Sequence, residues 1–271
     1  MTDTTYDDML AFASAVARDA GEIMRRYFHN IDQHVTRKKD TTLVTVADTS
    51  INKMVIQRVA QTYPQHGVLG EEASSHDGRR ELWVCDPIDG TNGFTIGEPT
   101  AVFSLAYVVD GVPTVAVTYD PFQDRLYSAI KGRGAYCNGV LLQVSDCDLG
   151  EAVLGLSGGY QAVSGNIGLY DQLAATGADL RMMGGLVFKG NLVAEGKITG
   201  VLYPYTAAHD IAAIKLIVEE ADGIVTDIDG NDQRYDQALR GAIISNGVIH
   251  RQLVEAVAHY GVARYRGYPQ N

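Results

Sequence analysis

The run Asp86-Pro87-Ile88-Asp89-Gly90-Thr91 gathers the residue types from which a hard-cation site is built. The apolar stretch Leu82-Trp83-Val84-Cys85 reads as a short buried strand that delivers Asp86 at its C-terminal end. Pro87 cannot continue a central strand, so the strand is expected to stop there and the chain to turn. Asp89 follows Asp86 closely enough for both carboxylates and the Ile88 carbonyl to converge on one point. Oxygen-only donors of this kind suit Mg2+. The free N–H groups of Gly90 and Thr91 would then face a phosphate. A plain turn is the competing reading, because Asp-Gly is a common turn dipeptide. It accounts for Asp89-Gly90 but not for a carboxylate ending an apolar strand, where burial is costly.

Three further acids stand at the ends of expected elements. Glu71, in Gly70-Glu71-Glu72, follows the apolar pair Val68-Leu69; the alternative is a pair of solvated loop charges. Asp210 precedes an amphipathic helix marked by Ile211, Ile214, Ile217, Val218 and Ala221, and Asp48 precedes a helix over 49–63. Either could serve only as an N-cap. His209 is not expected to be a ligand, since a carboxylate and carbonyl site selects against imidazole-preferring metals. If Asp48, Glu71, Asp86, Asp89 and Asp210 share one site, their like charges repel unless a cation is bound.

The elements that must position these residues follow from periodicity. Residues 6–28 and 49–63 carry apolar side chains at helical spacing, the second stretch stopping at Pro64. Residues 101–109 and 112–119 are β-rich and joined by Asp110-Gly111, a hairpin signal; 125–130 and 135–144 add strand. Beyond about residue 148, strands at 152–156, 180–183, 198–203, 224–226 and 242–245 alternate with helices at 167–175, 185–194, 211–221 and 248–259. An α+β half over 1–145 is therefore expected before an α/β half over 146–271, with no Pro/Ser-rich linker between them and hence one compact unit.

The net charge of −11 argues against nucleic acid, since the only basic run, Arg37-Lys38-Lys39, is too short to form a binding stripe. No apolar run approaches the length of a membrane span. Met1 to Asp8 is polar and acidic, unlike a secretory signal, so the cytoplasm is the expected location. Cys85, Cys137 and Cys147 are odd in number and widely spaced, which suggests reduced, buried thiols.

The string Trp83 to Thr91 is similar to the first signature of the inositol monophosphatase superfamily. Thr45-Val46-Ala47-Asp48 and Gly70-Glu71-Glu72 support it upstream. Downstream, His209-Asp210-Ile211-Ala212-Ala213 with Glu219-Glu220-Ala221 resembles the second signature. The resemblance covers nearly the whole chain. It implies an α/β (α+β) fold, a layered αβαβα sandwich of the sugar-phosphatase type, usually a homodimer. It also implies Mg2+-dependent, Li+-inhibited hydrolysis of a small phosphorylated metabolite by metal-activated water, without a covalent enzyme intermediate. By position, Glu71, Asp86 and the Ile88 carbonyl would hold one Mg2+, and Asp86, Asp89 and Asp210 a second. A third, weaker ion would lean on Glu71, giving two to three per subunit. Thr91, linked to Asp48, would orient the attacking water, with Asp48 or Glu71 taking its proton.

The chain departs from that pattern where substrate is contacted. Met183-Gly184-Gly185-Leu186 matches the substrate-contact loop, with Leu186 where a small residue is frequent. Tyr203 stands where inositol-specific members carry a glutamate; it offers a ring and a hydroxyl to substrate, or is a core tyrosine at a strand end. Thr91-Asn92-Gly93-Phe94 resembles adenosine 3',5'-bisphosphate phosphatases. A broad sugar- or polyol-phosphate activity ranks first, with inositol monophosphate, fructose 1,6-bisphosphate, histidinol phosphate and adenosine bisphosphate as candidate substrates. The functional alternatives are a catalytically idle regulatory relative and a cation-binding protein without catalysis. Residues 30–42, which include Lys38 and Lys39, read as a mobile lid or a solvated turn.

Overall fold

The computed structural model describes residues 5–29, 35–37, 43–76, 78–156 and 165–261. Two helices open the chain, α1 (Tyr6–Tyr27) and α2 (Val46–Thr62). Between them β1 (Thr36–Arg37) and β2 (Leu43–Val44) pair as a short antiparallel ribbon. Residues 30–34 and 38–42 of the segment proposed as a lid lie outside the described residues.

Seven strands then form one sheet in chain order: β3 (Gly67–Gly70), β4 (Glu81–Asp89), β5 (Val102–Val109), β6 (Val112–Asp120), β7 (Arg125–Ile130), β8 (Ala135–Cys137) and β9 (Val140–Leu141). Every neighbour is antiparallel except β3 and β4. The short helix α3 (Thr91–Thr95) leaves the end of β4. A second sheet has the order β11-β10-β12-β14-β13, from β10 (Val153–Leu156), β11 (Asp179–Met182), β12 (Gly200–Tyr203), β13 (Ile224–Thr226) and β14 (Ala242–Ser245). Its helices are α4 (Ile167–Ala175), α5 (Leu186–Ala194), α6 (Ala208–Glu219) and α7 (His250–Tyr260).

Strand alternation sorts these pieces into five layers. On β4, Trp83 and Cys85 pack with Val16 of α1 and Ile51 and Val55 of α2. Leu82 and Val84 point the other way, into a cluster with Val187, Ile211, Ile214 and Ile217. On β12 and β14, Val201 and Ile244 join that same cluster, whereas Leu202 and Ile243 pack with Leu169, Leu173 and Leu253. The order is therefore helix, sheet, helix, sheet, helix, and the fold is the αβαβα sandwich. α5 and α6 form the middle layer. α6 is expected to be amphipathic but is buried almost all round, because both of its sides meet a sheet.

Three element boundaries differ from expectation for identifiable reasons. β4 does not stop at Pro87 but runs on to Asp89. Its register with β5 skips between Asp86↔Ser104 and Asp89↔Val102, a bulge that leaves Pro87 without a ladder bond to supply. α2 and α6 each begin before the acid that precedes the expected helix. Thr45 and Ala207 occupy the cap positions, while Asp48 and Asp210 stand at the third helical residue and reach back to them.

The middle layer is closely packed: a Cβ placed on Gly190 of α5 would lie 2.5 Å from Ile214 Cγ2 of α6. Gly190→Val is accordingly expected to lower unfolding free energy by about 1–3 kcal/mol through overpacking, read from urea denaturation. An unchanged midpoint would mean that the two helices separate without cost.

Candidate active site

Carboxylate oxygens of Asp86, Asp89 and Asp210 lie within 4.8 Å of one another. Each is anchored by a different local device. Asp86 and Asp89 both come from the bulged end of β4, where Asp86 Oδ1 accepts the Ile88 N–H at 3.0 Å. Asp89 accepts three N–H groups from the open start of α5: Leu186 at 2.9 Å, Val187 at 2.8 Å and Phe188 at 3.3 Å. These are donors that a helix N-terminus cannot satisfy internally. Asp210 Oδ2 accepts the Ala207 N–H at 2.7 Å and the Thr206 hydroxyl at 2.8 Å.

Asp48 is fully buried and sits on the neighbouring helix α2. Its Oδ2 accepts the Thr45 N–H at 2.8 Å and the Thr45 hydroxyl. Its Oδ1 lies 3.2 Å from Thr91 Oγ1, which is also 3.0 Å from the Ile88 carbonyl oxygen. Glu71 follows β3, is half-buried, and donates its N–H to the Cys85 carbonyl at 3.1 Å. Its charge acts on both Asp86 and Asp48.

Beside the acids, Gly90 takes a left-handed φ of +86°, and no acceptor among the described residues takes the N–H of Gly90 or Thr91. Gly185 packs against this turn: a Cβ on it would fall 2.1 Å from Asp89 Oδ2, so only glycine fits. Gly184 is also left-handed, at φ +38°. The Leu186 side chain is buried in the middle layer, so its main chain rather than its side chain adjoins the acids. Tyr203 is 5% exposed, with its ring 5.3 Å from the Lys189 ammonium. His209 Nε2 stands 3.6 Å from Asp210 Oδ1.

Residues 5–261 match the family model described as the inositol monophosphatase family. The chain belongs to that family. It is 32% identical over 264 residues to "Inositol monophosphatase 1" of Solanum lycopersicum, covering 93% of this chain and 96% of that one. It is 29% identical over 250 residues to "Fructose-1,6-bisphosphatase/inositol-1-monophosphatase" of Thermotoga maritima, covering 92% and 96%. Among solved structures, a Thermotoga maritima IMPase superposes with a TM-score of 0.85 at 28% identity, covering 93% and 98%. As an inositol monophosphatase family member, the chain is an enzyme of the phosphoric monoester hydrolase class, and members of the family act on small phosphorylated substrates. Among its described residues no helix is long and apolar enough to cross a membrane.

The electrostatics suit this family chemistry. Burial, then the charges of Glu71, Asp89, Asp210 and Asp48, push the Asp86 carboxyl well above the usual range. Burial and Asp210 raise Asp89 to about 7, opposed by Lys189 and by the α5 N–H groups. Burial also raises Asp48 despite its bonds to Thr45. Crowded, desolvated carboxylates with only oxygen donors form a site that a hard divalent cation fits, because the cation replaces the protons they would otherwise collect.

Sequence reasoning did not find Lys189, Thr206 or Thr45 as parts of the site. Thr45-x-x-Asp48 carries the capping-box spacing and was legible in principle. Lys189 is 2% exposed, in a helix whose other residues are apolar apart from Asn191, and only tertiary structure reveals it.

A pH dependence follows. Asp89 has a folded value near 7 against an ordinary carboxyl value near 4, so between them the folded state binds more protons than the unfolded one. In EDTA, stability should therefore fall as pH rises through this window, with a melting temperature higher at about pH 6 than at about pH 8. Saturating Mg2+ should narrow the gap. Equal melting temperatures in EDTA would contradict the burial of an uncompensated carboxylate cluster.

Proposed function

We propose that the chain is a Mg2+-dependent phosphomonoesterase that hydrolyses a small sugar or polyol phosphate, inositol monophosphate being the first candidate. The observation that carries the reading is the convergence of Asp86, Asp89 and Asp210 within 4.8 Å, beside the uncommitted N–H groups of Gly90 and Thr91. In this reading Glu71, Asp86 and the Ile88 carbonyl hold one Mg2+, and Asp86, Asp89 and Asp210 another, with a third weaker ion at Glu71. Bound there, Mg2+ would make a water more acidic and neutralise charge gathering on the phosphoryl oxygens.

The protein groups do the rest. A threonine hydroxyl has one proton and two lone pairs. When Thr91 Oγ1 donates to Asp48 Oδ1, across 3.2 Å, its lone pairs are free to accept from a water and align it with phosphorus. The proton released by that water passes through Thr91 to Asp48, whose burial raises its proton affinity, or to Glu71. The N–H groups of Gly90 and Thr91 donate to the phosphoryl oxygens. The leaving alkoxide departs on the side of Asp89 and Asp210 and is protonated from solvent. Gly184, Gly185 and the main chain of Leu186 border the alcohol half of the substrate, with Tyr203 buried beneath them. The homodimer, the cytoplasmic setting and the pairing of residues 1–145 with 146–271 as one unit belong to the same reading.

Phosphate release is the test, measured on inositol monophosphate, fructose 1,6-bisphosphate, histidinol phosphate and adenosine 3',5'-bisphosphate with Mg2+, with EDTA and with added Li+. Release should require Mg2+ and favour one ester. Asp89→Asn should cut turnover by about a hundredfold or more while leaving the circular dichroism spectrum unchanged. Near-normal rates in that variant would sink the assignment of Asp89.

A further inference from the structure

Lys189 is a buried cation that the proposed chemistry does not use. It lies against the face of the paired strands β10 and β12, near Gly155 and Tyr203. Room for its stem depends on a glycine, since a Cβ on Gly155 of β10 would come within 2.8 Å of Lys189 Cδ. Its Nζ donates to the Met183 carbonyl at 2.8 Å and to the Gly184 carbonyl at 2.9 Å. Burying an ammonium is expensive unless its donors are satisfied. Two loop carbonyls, with Asp89 and Glu98 nearby, supply that compensation, although burial still draws the ammonium down to about 8.

The consequence lies on the opposite edge of the two peptides it grips. In a trans peptide the C=O and N–H point in opposite directions, and no cis peptide occurs among the described residues. Turning the Met183 and Gly184 carbonyls inward to Lys189 turns the N–H groups of Gly184 and Gly185 outward. Neither N–H has an acceptor among the described residues. The Gly185 nitrogen would lie 3.5 Å from a Cβ built on Gly90, so this outward edge adjoins the turn proposed to hold phosphate.

We propose that Lys189 is a positioning residue that holds the 183–185 loop so that the N–H groups of Gly184 and Gly185 are presented to oxygen acceptors on the alcohol half of the substrate. The ligand class is thereby an alcohol rich in oxygen, a polyol or a sugar, rather than an apolar one. The proposal rests on the phosphatase reading above.

The test uses the full-length protein with Mg2+, two esters and Lys189→Met, an unbranched chain of similar reach without the donors. One ester is inositol 1-phosphate; the other is phenyl phosphate, whose leaving group has no oxygen beyond the ester. The KM for inositol 1-phosphate should rise about tenfold, with a smaller change in kcat and a smaller rise in KM for phenyl phosphate. Hydrogen–deuterium exchange over 183–188 should quicken, and Lys189→Arg should recover part of both effects. If Lys189→Met does not fold, Lys189→Leu, which also lacks the donors, takes its place. Equal losses on both esters, or unaltered exchange over the loop, would overturn the proposal. If the wild type hydrolyses neither ester, the phosphatase reading fails and the substrate half of this proposal with it, while the exchange measurement still decides whether Lys189 holds the loop.

Discussion

Carboxylates placed close together and away from water repel one another and lose hydration at once, and both penalties grow with burial. Here Asp86 and Asp89 are buried, and Asp210 stands within 4.8 Å of both. Left free, such side chains would rotate apart or drag the chain toward solvent. Each is prevented from doing so by N–H or O–H donors fixed in the main framework. The α5 N-terminus holds Asp89, Thr206 and the Ala207 N–H hold Asp210, the Ile88 N–H holds Asp86, and Thr45 holds Asp48. Helix N-termini suit this task because their unpaired N–H groups carry partial positive charge.

That arrangement explains why the site lies at a seam between layers. β4 belongs to the seven-stranded sheet, α2 to an outer layer, and α5 and α6 to the layer between the two sheets. No single layer contains enough donors to restrain all the acids. The acidic cluster is complete only when the sandwich is packed, so the fold and the cluster share one set of constraints. Gly185 shows how tight the seam is: a methyl group there would occupy the space of the Asp89 carboxylate.

The contiguous part of the candidate site was readable from the chain. Asp86, Ile88, Asp89, Gly90 and Thr91 fall within one bulged strand end and the turn after it, so their spacing alone suggested a shared centre. The change in periodicity near residue 148 suggested only an α+β half before an α/β half; the layered sandwich was expected from the resemblance to the family. The errors came where a local rule was overridden by a partner. Pro87 reads as a stop unless the bulge is known. Asp48 and Asp210 read as caps because an acid at the third helical residue resembles one a turn earlier. The union of Asp89 with α5 was not legible at all, since its donors lie 97 to 99 residues away along the chain. Lys189 was hidden for a related reason: a lone lysine among apolar helical residues ordinarily reaches for solvent.

The departures from the family pattern at Leu186 and Tyr203 take on a different weight in this setting. Leu186 sends its side chain into the middle layer and only its N–H to Asp89, and Tyr203 is 5% exposed beside Lys189. A substitution at either place therefore changes what lies beneath the site more than the surface offered to a ligand. The groups left facing outward near Gly90 are main-chain N–H donors, whose identity no side-chain replacement alters. What such replacements can alter is the angle at which those donors are held. A buried lysine gripping the two preceding carbonyls is one way to set that angle, and glycines at 184 and 185 leave the donors uncovered. Substrate choice in this chain is then a matter of loop geometry supported from below, which is why reading the rim residues one by one gave only a weak ranking of substrates.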